Sequence, residues 1–304
     1  MTRYAATSLD LSDLPAPLVV ENISFDAILA VRKATLVEEF RTRGVDYDVD
    51  MLETDSATIQ QRVDGGREVL VRQKINDAAK ATMLAFATGS DLDHLAALYG
   101  ISRRLISPAT ASAAAVYESD AELRRRVQIA PEALTTCGSE ASYVHHALEA
   151  APALVDVVPL VGATASGEKQ VRVVCLDRGP TGIPSPETLE ACRARLTRTD
   201  VRPMTVPVSI SGPAVVTYDV VMRLVIPAGP DPSLVRSAAL TAVTALVAAR
   251  RGLGVDVLRQ AVEAAGRVSG VERVILDAPD DIVVASDAVP ICTSLTITPE
   301  GLDD

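Results

Sequence analysis

Side chains that could do chemistry are few and scattered in this chain of 304 residues. His145 and His146 are adjacent, so on a helix they point about 100° apart and do not converge on one metal ion. The third histidine, His94, lies far from them in sequence, and all three read as ordinary helix-surface or core histidines. Cys137, Cys175, Cys192 and Cys292 contain no C-x-x-C pair, a pattern that fits buried thiols in a reducing compartment better than a disulfide framework or a zinc site. Two aspartate pairs, Asp280 with Asp281 and Asp91 with Asp93, could serve general acid–base catalysis. The first sits in a Pro-Asp-Asp turn and the second at a helix start, so turn and capping roles account for both. Gly252-Leu253-Gly254 is a G-x-G, but it follows a helix, and Val257 stands where a dinucleotide fingerprint needs its third glycine. It reads as a turn. Neither G-x-x-x-x-G-K-[ST] nor G-x-S-x-G occurs. The expectation is therefore no catalytic residue, no metal ligand and no cofactor.

The elements that would have to position these groups are organised around Glu118 to Ala150. Ser119, followed three residues later by Glu122, is a capping box and predicts a helix from Asp120. Its apolar stripe is Leu123, Val127 and Ala130, which leaves Arg124, Arg125 and Arg126 on the flanks as a solvated face. Pro131 should kink or end this helix, Thr135 to Gly138 makes a polar turn, and Ser139 caps a second helix carrying Val144, Ala147 and Leu148.

Before this hairpin the chain reads as helical. A Pro-punctuated extended arm, Leu11 to Pro17, precedes a helix capped by Asn22 or Ser24, with Ile28, Val31, Thr35 and Phe40 on one side. An acidic loop spans Val45 to Glu53. From Ser56 a long helix runs through Ile59, Val63, Val69, Ile75, Ala79 and Leu84, with a break expected at Gly65 and Gly66. A third helix, capped by Ser90, should bury Leu95, Leu98 and Tyr99. Ser102 to Val116 is a small, Pro-containing linker.

After the hairpin, Leu154 to Leu160 and Gln170 to Leu176 read as a β-hairpin. Pro186 to Thr197 follows as a helix started by Ser185 and Pro186, with Leu189 and Leu196 inward, and then a strand at Val206 to Ile210. The last third begins with an alternating strand, Val215 to Ile226. A helix from Pro232 with Leu234, Ala238, Ala242 and Leu246 inward comes next, then one with Val257, Leu258, Val262 and Ala265, and then strands Val271 to Leu276 and Ile291 to Ile297. The fold class is thus multidomain: an all-α N-terminal helical domain (1–104) followed by two α+β domains, middle (116–213) and C-terminal (214–304), with mixed sheets and helices on one face.

The N-terminal helices show broad apolar faces, including Ile28, Val31, Leu84, Leu95 and Leu98. Three helices with a long acidic loop cover only part of that surface among themselves, so these five residues are the candidate partner interface. Hydrophobic residues make up 48% of the chain but aromatics only 3%, so the cores must be built from Ala, Val and Leu. A net charge of −11 opposes the counterion release that drives nucleic-acid binding, and nucleic acid is not an expected partner. The opening MTRYAATSLDLSDLPAP lacks the apolar core of a signal peptide, and no long charge-free apolar run occurs, so a cytoplasmic protein without a membrane partner is expected.

Several strings occur in an order that resembles a known family. These are DLSDLPAPLVVE (Asp10 to Glu21), FDAILAVRKA (Phe25 to Ala34), the run from Arg72 to Gly100, and ESD with its arginine-bearing helix. The short T-x-G turn, the helix with Tyr143 and His146, DVRP (Asp200 to Pro203) and GVERVIL (Gly270 to Leu276) complete the set. Together they are similar to the baseplate assembly protein J family of contractile-tailed bacteriophages. One departure is Pro131, where the family pattern keeps an apolar helix former. The resemblance implies a structural component of the tail baseplate wedge that links wedges into a ring around the central hub. The implied partners are other copies of itself, a smaller baseplate wedge protein, and central hub and tail components. It also implies a place in the virion tail baseplate after assembly in the host bacterial cytoplasm. The competing reading is a cytoplasmic enzyme with an unmarked active-site cleft.

Overall fold

The computed structural model describes residues 11, 14, 15, 17, 19–48, 52–110, 113–134, 138–164, 167–202, 206–227, 229 and 231–301. The chain divides into two compact units, Leu9–Ser102 and one containing Arg103–Asp304.

In the first unit the described elements are helices: α1 (Phe25–Thr42), α2 (Ser56–Ala81) and α3 (Gly89–Ala97). Ser24 is the cap of α1, its hydroxyl accepting from the Ala27 N–H, and Asp55 caps α2 through the Thr58 N–H. Helix α2 runs unbroken through Gly65 and Gly66, contrary to the expected break. Gly65 is buried against Phe25 and Arg32 of α1, and the packing of the two helices offsets the roughly 1 kcal/mol a mid-helix glycine costs. Helix α3 starts at Gly89 with Thr88 at the cap position, two residues earlier than the Ser90 expectation. Its buried residues are Leu92 and Ala96, whereas Leu98 and Tyr99, expected inside, are exposed because α3 ends at Ala97 and the chain turns away. Ser12, Asp13 and Ala16 of the arm at Leu11 to Pro17, and the centre of the loop at Val45 to Glu53, lie outside the described residues.

Strands begin at Leu105, so the expected linker carries a small antiparallel pair, β1 (Leu105–Ser107) with β2 (Val116–Tyr117). Helix α4 (Asp120–Ile129) follows with its capping box complete: Ser119 Oγ accepts from the Glu122 N–H, and Glu122 Oε2 accepts from the Ser119 N–H. At Pro131 the helix tightens into a 3₁₀ turn, Ala130–Leu134. The polar turn at Thr135 to Gly138 lies mostly outside the described residues. Helix α5 (Glu140–Ala150), capped by Ser139, is buried along nearly its whole length.

Next come β3 (Leu154–Ala163), β4 (Lys169–Asp177), α6 (Pro186–Leu196) and β5 (Val208–Ser211). The sheet order is β3-β4-β5, with the first pair antiparallel and the second parallel. Tyr143, Val144 and Ala147 of α5 and Cys192 and Leu196 of α6 pack with Leu154, Val157, Val173 and Cys175 of the sheet. Val173 to Leu176 are all fully buried, which an alternating strand with one wet face would not allow. The second face of this sheet is covered by the last third of the chain: Val158, Val174 and Leu176 form one core with Leu253 and Val289.

That last third contains β6 (Ala214–Ile226), α7 (Pro232–Arg250), α8 (Arg259–Gly266), β7 (Arg273–Ala278) and β8 (Ala288–Gly301), with sheet order β7-β6-β8. Strands β6 and β7 are antiparallel, while β6 and β8 are parallel, so both larger sheets are mixed. Tyr218, Val220, Met222 and Leu224 face the helices as their alternation predicts. The inward stripe of α7 is Val235, Ala239 and Val243, one residue out of phase with the expected Leu234, Ala238 and Ala242. Leu234 is exposed. An Ala-rich helix offers more than one apolar face, and the branched valines fill the sheet's grooves better. This 19-residue helix is long and apolar enough to cross a membrane by length and composition, although it carries Arg236 and is seated on a sheet. Val257, expected in a helix, pairs with Ile282 in an isolated bridge.

Candidate functional site

In the first unit α1 lies along α2 without burying any of its own residues. Between them is a groove of about 570 Å³ with Ile23, Ala27, Ile28, Val31 and Leu36 on its walls and Glu21, Arg32, Glu39, Glu68 and Arg72 around them. The groove is held open by polar clamps. Buried Asn76 accepts from the Glu21 N–H at 3.0 Å and donates to the Glu21 carbonyl at 2.9 Å, fixing the chain as it enters α1. Arg32 reaches across to Glu68 at 2.9 Å and Asp64 at 3.5 Å, and Arg72 bridges Glu68 at 2.8 Å and Glu21 at 2.7 Å. Hydrogen bonds from Arg32 and then Arg72 hold the Glu68 carboxyl below the usual carboxylate range.

Of the five candidate interface residues, Ile28 and Val31 line this groove together. Val31 is 67% exposed, and Ile28 is half-buried. Leu84, Leu95 and Leu98 are not in its lining: Leu84 and Leu95 are half-buried, and Leu98 is 78% exposed beyond α3. Ile59, Val63 and Leu70 of α2 are also exposed. At 100° per residue these three fall within one narrow sector on the side of α2 away from Gly65, Glu68 and Arg72. The helical unit thus leaves apolar surface on two sides, an arrangement suited to receiving amphipathic helices.

The G-x-G turn and the Asp280–Asp281 pair have structural partners. Leu253, in the centre of the G-x-G, is fully buried and its N–H donates to the buried Asp156 carboxylate at 3.1 Å. Gly254 takes φ +63°, and a side chain there would press on the Ser286 backbone, so this turn packs protein against protein. Asp281 accepts the Arg259 N–H at the start of α8, where Leu258 supplies no side-chain cap, and Asp280 pairs with Arg259 at 3.1 Å. Asp91 lies in the first turn of α3. Cys175 and Cys192 are free and buried, Cys292 is free and half-buried, and Cys137 lies outside the described residues. Among the described residues no three His, Cys, Asp or Glu side chains come together in a metal-holding group.

Of the triple arginine, Arg125 is exposed as expected, but Arg126 is not on a solvated face. Arg126 is buried, donating to Glu118 at 2.5 Å and to Glu149 of α5 at 2.6 Å, and Arg104 joins Glu149 at 2.9 Å. Burial pushes the Glu149 carboxyl up, but Arg104 and Arg126 outweigh it and hold it below its ordinary value. Arg125 pairs with Asp156 at 2.9 Å. At 100° per residue Arg126 lies about 60° from Leu123 on the side away from Val127, at the edge of the apolar stripe, where spacing alone does not separate a buried from a solvated arginine.

Three family models match the chain in order. A baseplate J-like N-terminal domain matches residues 53–110, a baseplate J-like central domain matches 135–212, and a baseplate J-like protein C-terminal domain matches 218–298. Baseplate protein J of Escherichia phage P2 is 35% identical over 303 residues, covering 97% of this chain and 99% of that protein. Among solved structures, a chain in the cryo-EM structure of the anti-feeding prophage baseplate, 6-fold symmetrised, aligns with a TM-score of 0.38 at 14% identity. The alignment covers 59% of this chain, which spans 43% of that one.

Proposed function

The chain belongs to the baseplate J-like family, and from that premise we propose that it is a non-catalytic structural component of a phage tail baseplate, acting in the wedge. The observation that carries this reading is the end-to-end match to baseplate protein J of phage P2 at 35% identity, with no part of the relative left over that would need a different role. In this reading copies of the chain link wedges into a ring around the central hub, after assembly in the host cytoplasm. Its partners are further copies of itself, a smaller wedge protein and other hub and tail components, with neither nucleic acid nor membrane among them.

The division of labour follows the three domains read from the sequence, 1–104, 116–213 and 214–304. The helical part, whose groove carries Ile28 and Val31, takes helices from the smaller wedge protein, with Leu84, Leu95 and Leu98 contributing outside the groove. Supporting this, α1 has no buried residue and α2 keeps apolar side chains exposed on the side away from it. The sheet-bearing parts join copies of the chain. Supporting that, the middle and last thirds share a core and so present one stiff body. Arg251 donates to the Arg178 carbonyl at 3.0 Å and the Asp177 carbonyl at 3.2 Å, and Arg172 pairs with Asp287 at 2.6 Å.

The test is mass spectrometry of sedimented tail particles, together with two fragments. The chain should be recovered in stoichiometric amounts from the particles. Residues 116–304 alone should fold and associate weakly with themselves without retaining the smaller wedge protein, whereas residues before 102 should need that partner for solubility. A sharp-melting monomeric N-terminal fragment, or capture of the partner by the C-terminal one, would refute the division.

A further inference from the structure

The interface reading leaves two buried histidines on α5 without a role. His145 and His146 are each more than nine-tenths buried, their rings meet edge to face with centroids 5.4 Å apart, and Nδ1 of each has no hydrogen-bond partner. Charged groups face them from several sides. Helix α4 presents Arg126; α6 and the turn after it present Arg195, Arg198 and Asp200; α5 itself adds Glu149. Strand β3 contributes apolar Leu154 and Val157 to the core against which α5 packs.

The carboxylates that could welcome a proton on the pair are already committed. Glu149 is held by Arg126 and Arg104, and Asp200 is gripped by Arg198 through bonds of 2.9 and 2.7 Å. Arg195 stands close by with its own buried Nε unpartnered. A second positive charge among these arginines would have to be buried without an acceptor, which a protein interior does not tolerate.

We propose that the His145–His146 pair is an acid-sensitive latch: neutral imidazoles let α5 sit between the middle sheet and α6, and protonation of the pair forces α5 from that seat. Nothing in this depends on the baseplate reading, since it rests on the packing of α5 alone.

The direction of the effect follows from linkage. Burial pushes His145 down to about 4 and pushes His146 down as well, from an ordinary value of 6.5 in the unfolded chain. Below 6.5 the unfolded chain takes up protons that the folded one refuses, so stability is complete at neutral pH and is lost as the pH falls toward 4. The last third of the chain contains no histidine, so both protons of this effect are taken up on α5.

The experiment uses the full chain with His94→Gln and ring-labelled histidine, so that only two imidazole signals remain. They are followed by NMR from about pH 7.5 to about pH 4, alongside amide exchange in α5 and the melting midpoint. The expected result is two imidazoles that both titrate below the ordinary histidine value, His145 down to about 4, with α5 exchange rising and the midpoint falling as they titrate. In a second variant, His145→Gln with His146→Gln, the midpoint should change much less over the same range. Titration of both rings near the ordinary histidine value, or an equally steep fall in the double variant, would overturn the proposal. If the double variant does not fold, the titration of the two rings in the otherwise native chain decides the matter.

Discussion

Replacing Arg126 by Met tests whether the triple arginine is structural. The substitution keeps most of the side chain's apolar length and removes its charge, leaving Glu118 buried with the Arg104 N–H at 3.2 Å but without its guanidinium. Glu149 loses two bonds from Arg126, at 3.0 and 2.6 Å, and retains Arg104. Removing one member of a buried ion pair costs about 3–5 kcal/mol, because the partner's desolvation is no longer compensated. In a folding unit of about 200 residues each kcal/mol moves the thermal midpoint by roughly 2–4 °C, so a fall of roughly 6–20 °C is expected. Urea unfolding of the full chain, read as a change in midpoint at constant slope, measures the same loss. Arg193→Met is the control: its pair with Glu190 is exposed and one turn apart, worth about 0.5 kcal/mol or less. A double variant, Glu118→Gln with Arg126→Met, should recover part of the loss, since the orphaned charge goes with its partner. If Arg126→Met costs no more than Arg193→Met, the arginines are a solvated face after all and the buried network is wrong.

Ser119→Ala should cost about 0.5–2 kcal/mol by removing one side of the α4 capping box, and an unchanged thermal midpoint would refute that assignment. Leu253→Ala empties a fully buried position between the two sheets and should cost about 2–5 kcal/mol. It should also split one unfolding transition into two, and a single transition at the native midpoint would show that the shared core does not couple them. Val31→Asp, at an exposed groove position, should leave stability within about 0.5 kcal/mol while abolishing co-purification with the smaller wedge protein. Retention of that partner would remove the groove from the interface.

The sequence by itself determined the features whose physics is complete within a turn of helix or a pair of strands. Ser119 with Glu122, Ser139, and Ser185 with Pro186 each start a helix where they were expected to, because a cap satisfies N–H groups two or three residues away. The alternation in β6 likewise put Tyr218, Val220, Met222 and Leu224 on one face. What only the tertiary structure decided are the features whose partners lie far off in the chain. Helix α2 stays whole through Gly65 and Gly66 because α1 packs along it, and α7 turns Val235 inward because the sheet selects among its several apolar faces. Val173 to Leu176 are buried on both sides because Leu253 and Val289 cover the face away from α5 and α6. Arg126 looks like any helix-surface arginine until Glu118 and Glu149 are folded around it. Asp156 looks like a strand-surface carboxylate until the Leu253 N–H, 97 residues away, closes on it. A polar residue's burial is set by the arrival of its partner, and that arrival is a long-range event which composition and periodicity do not encode.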